Sequence, residues 1–194
     1  MKRLACLSLL YALSCNLPAA TLAVEVEIPQ IDVAEYHRPY VAVWIEREDG
    51  AVAANLAVWY QQARGQKRPQ KAGGGTGSSG GPGQGSGGGG EKGSTWLPDL
   101  RQWWRRSGRT LRLPVDGVTG ATRPVGLHTL EFSDAQAPLK DLAAGHYRLV
   151  VEAVREVGGR ELARLAFDWP PQATIESSAH GQAELGRIAL RLTP

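Results

Sequence analysis

Gly145-His146-Tyr147-Arg148-Leu149-Val150-Val151-Glu152-Ala153-Val154 puts Tyr147, Leu149, Val151 and Ala153 on one side of an extended chain. That period of two belongs to a strand and not to a helix. Gly158-Gly159 follows as a hairpin signal. The return run, Leu162 to Trp169, places Ala163, Leu165, Phe167 and Trp169 on one face before Pro170-Pro171 closes it. Working outward, Ile188, Leu190 and Leu192 alternate near the end of the chain, and Gly126 to Phe132 reads as a strand before the hairpin. Upstream, Val24-Glu25-Val26-Glu27-Ile28 alternates cleanly, as a half-buried strand does. Pro39 to Glu46 is apolar on both faces, the pattern of a central strand. Asp49-Gly50 marks a tight turn into a further strand through Leu56-Ala57-Val58-Trp59-Tyr60. Roughly seven or eight short strands with regular turns predict an all-β fold, an antiparallel Ig-like β-sandwich.

The 194 residues suffice for one well-buried domain. Residues 1–23 read as a secretory signal: Lys2-Arg3, an apolar run from Leu4 to Leu13, then Pro18-Ala19-Ala20-Thr21-Leu22-Ala23. Cleavage after Ala23, or alternatively after Ala20, leaves a single domain over 24–194 in the periplasm. The apolar run is about half the ~20 residues a membrane span needs. Both cysteines, Cys6 and Cys15, fall inside the signal, so disulfides, thiolate catalysis and cysteine-ligated metals are excluded from a chain processed there. Ala12-Leu13-Ser14-Cys15 offers a second processing route, to a lipoprotein anchored at Cys15. From 22 basic and 19 acidic residues, loss of Lys2 and Arg3 leaves a net charge of +1. That balance, with export, argues against a nucleic-acid partner. The distribution is less even: Arg101, Arg105, Arg106, Arg109, Arg112 and Arg123 face one acid, Asp116, across 101–123. Such a zone suits a phosphate-bearing ligand or an anionic partner, or simply a solvated face with arginine stems over apolar surface.

Two stretches interrupt the strands. Residues 61–93 are rich in Gly, Ser, Gln and Lys with no large apolar side chain, and are expected to form a disordered insertion in the domain. Trp96 to Gly108 reads as a short Trp-rich helix. Pro98 and Asp99 suit its first turn, Arg105 and Arg106 its last, and Gly108 its stop. Leu97, Leu100, Trp103 and Trp104 recur at spacings of three and four, a stripe for covering the sheet or for stacking on a ring.

Val115-Asp116-Gly117-Val118-Thr119-Gly120-Ala121-Thr122-Arg123-Pro124 holds two glycines and no bulky side chain, and is expected to be an exposed loop between strands. Its glycines are also what plain turns require. Asp116, Thr119, Gly120, Ala121 and Thr122 resemble the acceptor motif Asp-x-x-Thr-Gly-Ala-Thr, on which bacterial FAD:protein FMN transferases install FMN as a phosphoester. The resemblance implies covalent FMN on Thr122, with the other four as motif residues. An Asp116–Arg123 pair bracing the loop is the structural alternative.

More widely, the chain resembles the bacterial periplasmic domain-of-unknown-function family 2271. The resemblance is carried by Arg38-Pro39-Tyr40-Val41-Ala42-Val43-Trp44-Ile45-Glu46, Trp96 to Arg105, the loop through Arg123, and Gly158-Gly159-Arg160-Glu161-Leu162. Ala144 to Leu149 also looks like the Gly-x-Tyr-x-Leu strand start of flagellar-hook-cap Ig-like domains. The resemblance implies export and association with membrane flavin electron transfer. The expectation is an electron carrier with an FMN transferase and a membrane redox protein as partners. The alternative is a flavin-free binding or assembly module that docks through an Arg/Trp surface. No catalytic or metal constellation is legible. His37, His128, His146 and His180 are scattered, and no Gly-x-Ser-x-Gly elbow precedes a helix. His128 and His146 could still face each other across paired strands.

Overall fold

The alternating runs become nine strands in the computed structural model, which describes residues 19–62 and 93–194. In chain order they are β1 (Thr21–Ile28), β2 (Tyr40–Arg47), β3 (Val52–Tyr60), β4 (Thr119–Ala121), β5 (Gly126–Ser133), β6 (Gly145–Val154), β7 (Arg160–Trp169), β8 (Ile175–His180) and β9 (Arg187–Thr193). One sheet has the order β5-β1-β9-β8 and the other β4-β3-β2-β6-β7. Pairing is antiparallel throughout except that β4 runs parallel to β3. The two sheets face each other as a sandwich around one core. Leu22, Val24, Val26 and Ile28 of β1 meet Val41, Val43 and Ile45 of β2, and Leu149 and Val151 of β6. The hairpin residues Tyr147, Ala153, Leu165, Phe167 and Trp169 lie on that inner face, as their spacing predicts.

The doubly apolar β2 is central, and its other side has its own partner. Ala42, Trp44, Val58 and Val150 on the outer face of the five-stranded sheet bury against Leu97, Leu100 and Trp103. The covering segment is not the single helix its stripe suggests. It runs as a 3-10 turn (Gly93–Asp99), a short helix α1 (Arg101–Arg106) and a second 3-10 turn (Gly108–Thr110). Pro98 lies inside the first turn, and neither Asp99 nor any other local acid caps α1. The cap comes from the sheet: Glu152, fully buried on β6, accepts the backbone N–H groups of Gln102 at 3.1 Å and Trp103 at 2.8 Å. The same carboxylate accepts Arg160 Nε at 2.5 Å. Trp103 is fully buried and donates its indole N–H to Asn55 Oδ1 at 2.8 Å, while Trp104 is half-buried. Gly108 is a packing requirement as well as a stop, because a Cβ there would fall 2.5 Å from the Trp103 ring.

The arginine zone is partly consumed by this layer. Buried Glu46 lies 3.6 Å from Arg106 Nε and 3.5 Å from Arg164 Nε, and Arg106 also donates to the Gly50 carbonyl. Across the sandwich, the β6–β7 hairpin is tied to the β8–β9 connection by a second acid-rich knot. Arg155 and Glu184, both buried, pair through two contacts of 2.9 and 3.1 Å. Glu161 accepts the backbone N–H groups of Gln182, Ala183, Glu184 and Leu185 at 2.5–3.0 Å.

Of the Gly-rich stretch, Gln61, Gln62 and Gly93 are described and the rest lies outside the described residues. Its two ends touch: a Cβ built on Gly93 would stand 1.7 Å from the Gln61 carbonyl oxygen. At the other end of the fold, β1 begins at Thr21, and Leu22 is fully buried opposite Phe132 and Leu192.

Candidate functional site

The motif loop is less irregular than its glycines suggest. Val115 to Thr119 forms a turn in which the Val115 carbonyl accepts the backbone N–H groups of Val118 at 3.2 Å and Thr119 at 2.9 Å. Gly117 takes φ +69°, where a side chain would be strained, and donates its N–H to Asp116 Oδ1 at 3.0 Å. Thr119 to Ala121 then straightens into β4, the edge strand beside β3, with Thr119, Gly120 and Ala121 opposite Val58, Trp59 and Tyr60. The expected loop is thus a turn followed by three residues of strand, because β3 leaves backbone groups at the sheet edge for it to pair with.

Trp59 is the floor of this segment. Gly120 crosses it so closely that a Cβ would sit 3.4 Å from the indole ring. The Arg123 guanidinium lies 5.3 Å from the ring centroid, a cation–π distance, and His128 meets the same ring edge-on at 5.6 Å. Arg123 therefore does not brace Asp116, whose contact is with Gly117. His128 and His146 do not face each other either. They lie in different sheets, and His146 contacts Asp168, which holds its imidazole pKa above the usual value by hydrogen bonding and charge.

The motif residues separate into two hollows. Asp116, Gly117 and Thr119 line one of about 590 Å³, with Tyr60 and Gly93. Thr122, half-buried just past the end of β4, lines a cleft of about 530 Å³ with Tyr36, Arg38, Tyr40, Trp96 and Arg155. That size lies within the ~300–1,000 Å³ of small-molecule sites. The two threonine hydroxyls differ in the same way. Thr119 donates to the Val115 carbonyl at 2.9 Å, whereas Thr122 makes no side-chain hydrogen bond among the described residues.

The cleft wall combines the aromatic side chains of Tyr36, His37, Tyr40 and Trp96 with charges of both signs, Arg38 and Arg155 against Asp99 and Glu156. Burial raises the phenol pKa of Tyr36 and Tyr40 above the ordinary tyrosine value, Arg155 acting against this at Tyr36 and a backbone hydrogen bond to Gln61 at Tyr40. The buried Tyr36 hydroxyl has no hydrogen-bond partner among the described residues. His37 on the same wall lies 3.1 Å from Glu35 and 3.5 Å from Glu156. The mouth carries Trp96, 47% exposed, and Val157, 90% exposed. Val157 has φ +55°, a left-handed conformation in a β-branched residue that is worth roughly 1–3 kcal/mol of strain.

These residues differ from the expected set. Trp103 is buried and Trp104 half-buried against the sheet, so the available aromatic is Trp96, which stands outside the Leu97/Leu100/Trp103 stripe. That offset was the signal in the sequence. The positive charges beside Thr122 are Arg38 and Arg155, and no arginine of 101–112 lines the cleft. Nothing in the local spacing of Tyr36, Arg38 and Tyr40 announces that they meet Thr122, because the sandwich brings together segments more than eighty positions apart. Among the described residues no three His, Cys, Asp or Glu side chains gather as a metal site, and no helix is long and apolar enough to cross a membrane.

A family model described as "Predicted periplasmic protein (DUF2271)" matches residues 21–187. No curated protein and no solved structure matches the chain.

Proposed function

Because the chain belongs to the predicted periplasmic family DUF2271, we propose that it is an exported electron carrier with FMN esterified to Thr122. It passes electrons from one membrane redox protein to another and catalyses no reaction of its own. When bound, the flavin supplies the electron-transfer chemistry, and the protein supplies its place and surroundings. The observation that carries this reading is the position of Thr122, at the end of an edge strand and on the wall of an aromatic cleft. The cleft offers the group the aromatic surface of Tyr36, Tyr40 and Trp96 for a planar ring and Arg38 for a phosphodiester; Arg155 on the same wall is already paired with Glu184, and Asp99 and Glu156 line the cleft as well.

Attachment needs an FAD:protein FMN transferase. In that enzyme's site Thr122 Oγ1 attacks the FMN-side phosphorus of FAD, the pyrophosphate bond breaks, AMP leaves, and the hydroxyl proton passes to a base of the transferase. Asp116 and Thr119, in the other hollow, serve the turn that presents β4 and do not touch the flavin. The test is to export the chain together with such a transferase, denature it, and read flavin fluorescence on the protein band. Wild type and Thr119→Ala fluoresce, and Thr122→Ala stays dark. A dark wild-type band beside a transferase active on another acceptor removes this reading.

The second reading is a flavin-free binding module that docks through its Arg/Trp surface. It is favoured by Arg101, Arg105, Arg109 and Arg112, all at least partly exposed and in no ion pair among the described residues.

A further inference from the structure

Among the described residues, Trp96 and Val157 are two of six large apolar side chains that stand in solvent, and both line the Thr122 cleft. They come from unrelated parts of the chain: Trp96 from the turn that leads into α1, Val157 from the tip of the β6–β7 hairpin. The hairpin tip is also where the backbone is least comfortable. Gly158 and Gly159 follow directly and would take a left-handed conformation without strain, yet the residue at φ +55° is Val157. Arg155 ties the base of this hairpin to the β8–β9 connection through its buried pair with Glu184. The result is an aliphatic side chain in solvent at the mouth of a cleft walled by an exposed indole and by Tyr36 and Tyr40. A planar aromatic group complements those features.

Resting on the reading of Thr122 as the flavin site, we propose that the cleft is the seat of the isoalloxazine ring. Trp96 stacks on the ring, and Val157 shields it from solvent at the mouth. The ring is then held in the protein and does not swing on its phosphoester tether. Trp96 and Val157 are positioning residues that exclude water and fix the ring, with no part in attaching it.

The experiment uses the flavinylated full chain, with flavin load measured by intact mass. Stacked indole quenches flavin emission, so the folded wild type emits more weakly than the same protein in denaturant, and iodide reaches its flavin poorly. Trp96→Leu carries the same load and regains emission toward the denatured level. Val157→Gly carries the same load, admits iodide more readily, and melts at the same or a higher temperature because the left-handed strain is gone. Folded wild type that emits and is quenched by iodide like the denatured chain, unchanged in both variants, overturns the seat while the flavin on Thr122 stands. Wild type that acquires no flavin overturns both. A Val157→Gly variant that melts well below wild type overturns the assignment of strain at the hairpin tip and with it the shielding role.

Discussion

Replacing Glu152 by glutamine tests whether the Trp-rich layer is held by a carboxylate buried in the sheet. Glu152 Oε1 accepts Gln102 N–H and Arg160 Nε, and Oε2 accepts Trp103 N–H. Glutamine keeps the shape but has one acceptor oxygen. Its NH2 must therefore face at least one donor, whichever way the amide turns. The loss is one or two hydrogen bonds to a charged acceptor, about 1.5–3 kcal/mol each, with the opposed N–H left unsatisfied in a dry site. About 3–5 kcal/mol is the expected loss. At ~2–4 °C per kcal/mol for a chain of this length, the melting temperature falls by about 10 °C. Calorimetry and urea titration measure the loss, and near-UV circular dichroism reports whether the Trp103–Trp104 pair, 6.2 Å apart, loosens with it. Arg105→Gln is the control: its only side-chain hydrogen bond among the described residues is the exposed one to the Arg101 carbonyl, so it stays within ~0.5 kcal/mol of wild type. A Glu152→Gln variant equally close to wild type refutes the capping argument.

Two further outcomes concern acid stability and processing. Burial acts to raise the Glu161 pKa, but the four backbone N–H groups it accepts prevail and hold it below the usual glutamate value. Its contribution is therefore present above the unfolded pKa of about 4.3 and is lost as pH falls through the folded value. Glu161→Gln is less stable than wild type at neutral pH, and the gap in urea midpoint closes in acid; a gap constant down to about pH 2 contradicts this. The mature chain is expected to begin at Thr21, by cleavage after Ala20. Cleavage after Ala23 would strip Leu22 from the core, a loss on the order of the 2–5 kcal/mol seen for truncating buried leucine. N-terminal sequencing of the exported protein decides this, and a Val24 terminus goes against it.

The sequence was most informative where side chains alternate without interruption. The β6–β7 hairpin follows from spacing, because a strand's faces are set by a period that does not depend on what it packs against, and the doubly covered β2 follows from an apolar run with no polar face. β4 and β8 were not legible. Thr119-Gly120-Ala121 is a strand only because β3 offers it an edge, and Ile175 to His180 is exposed on most of its length, so neither carries an apolar rhythm. The broken form of the Trp segment was hidden for a related reason. Its cap, Glu152, is about fifty positions away and in a strand, where a glutamate at an outward position looks like a solvated one. Thr122 was singled out by the motif resemblance, but its surroundings were not legible, since Tyr36, Arg38, Trp96 and Arg155 reach Thr122 only through the packing of the whole sandwich.

The contact between Gln61 and Gly93 makes the junction of β3 with the Trp segment a seam. Whatever chain lies between them enters and leaves the surface at one point, so its length sets neither the register of β3 nor the seating of Leu97 and Trp103 below it. A polypeptide cut there would present both new ends side by side. That is the condition under which a fold carries another folded unit as a passenger.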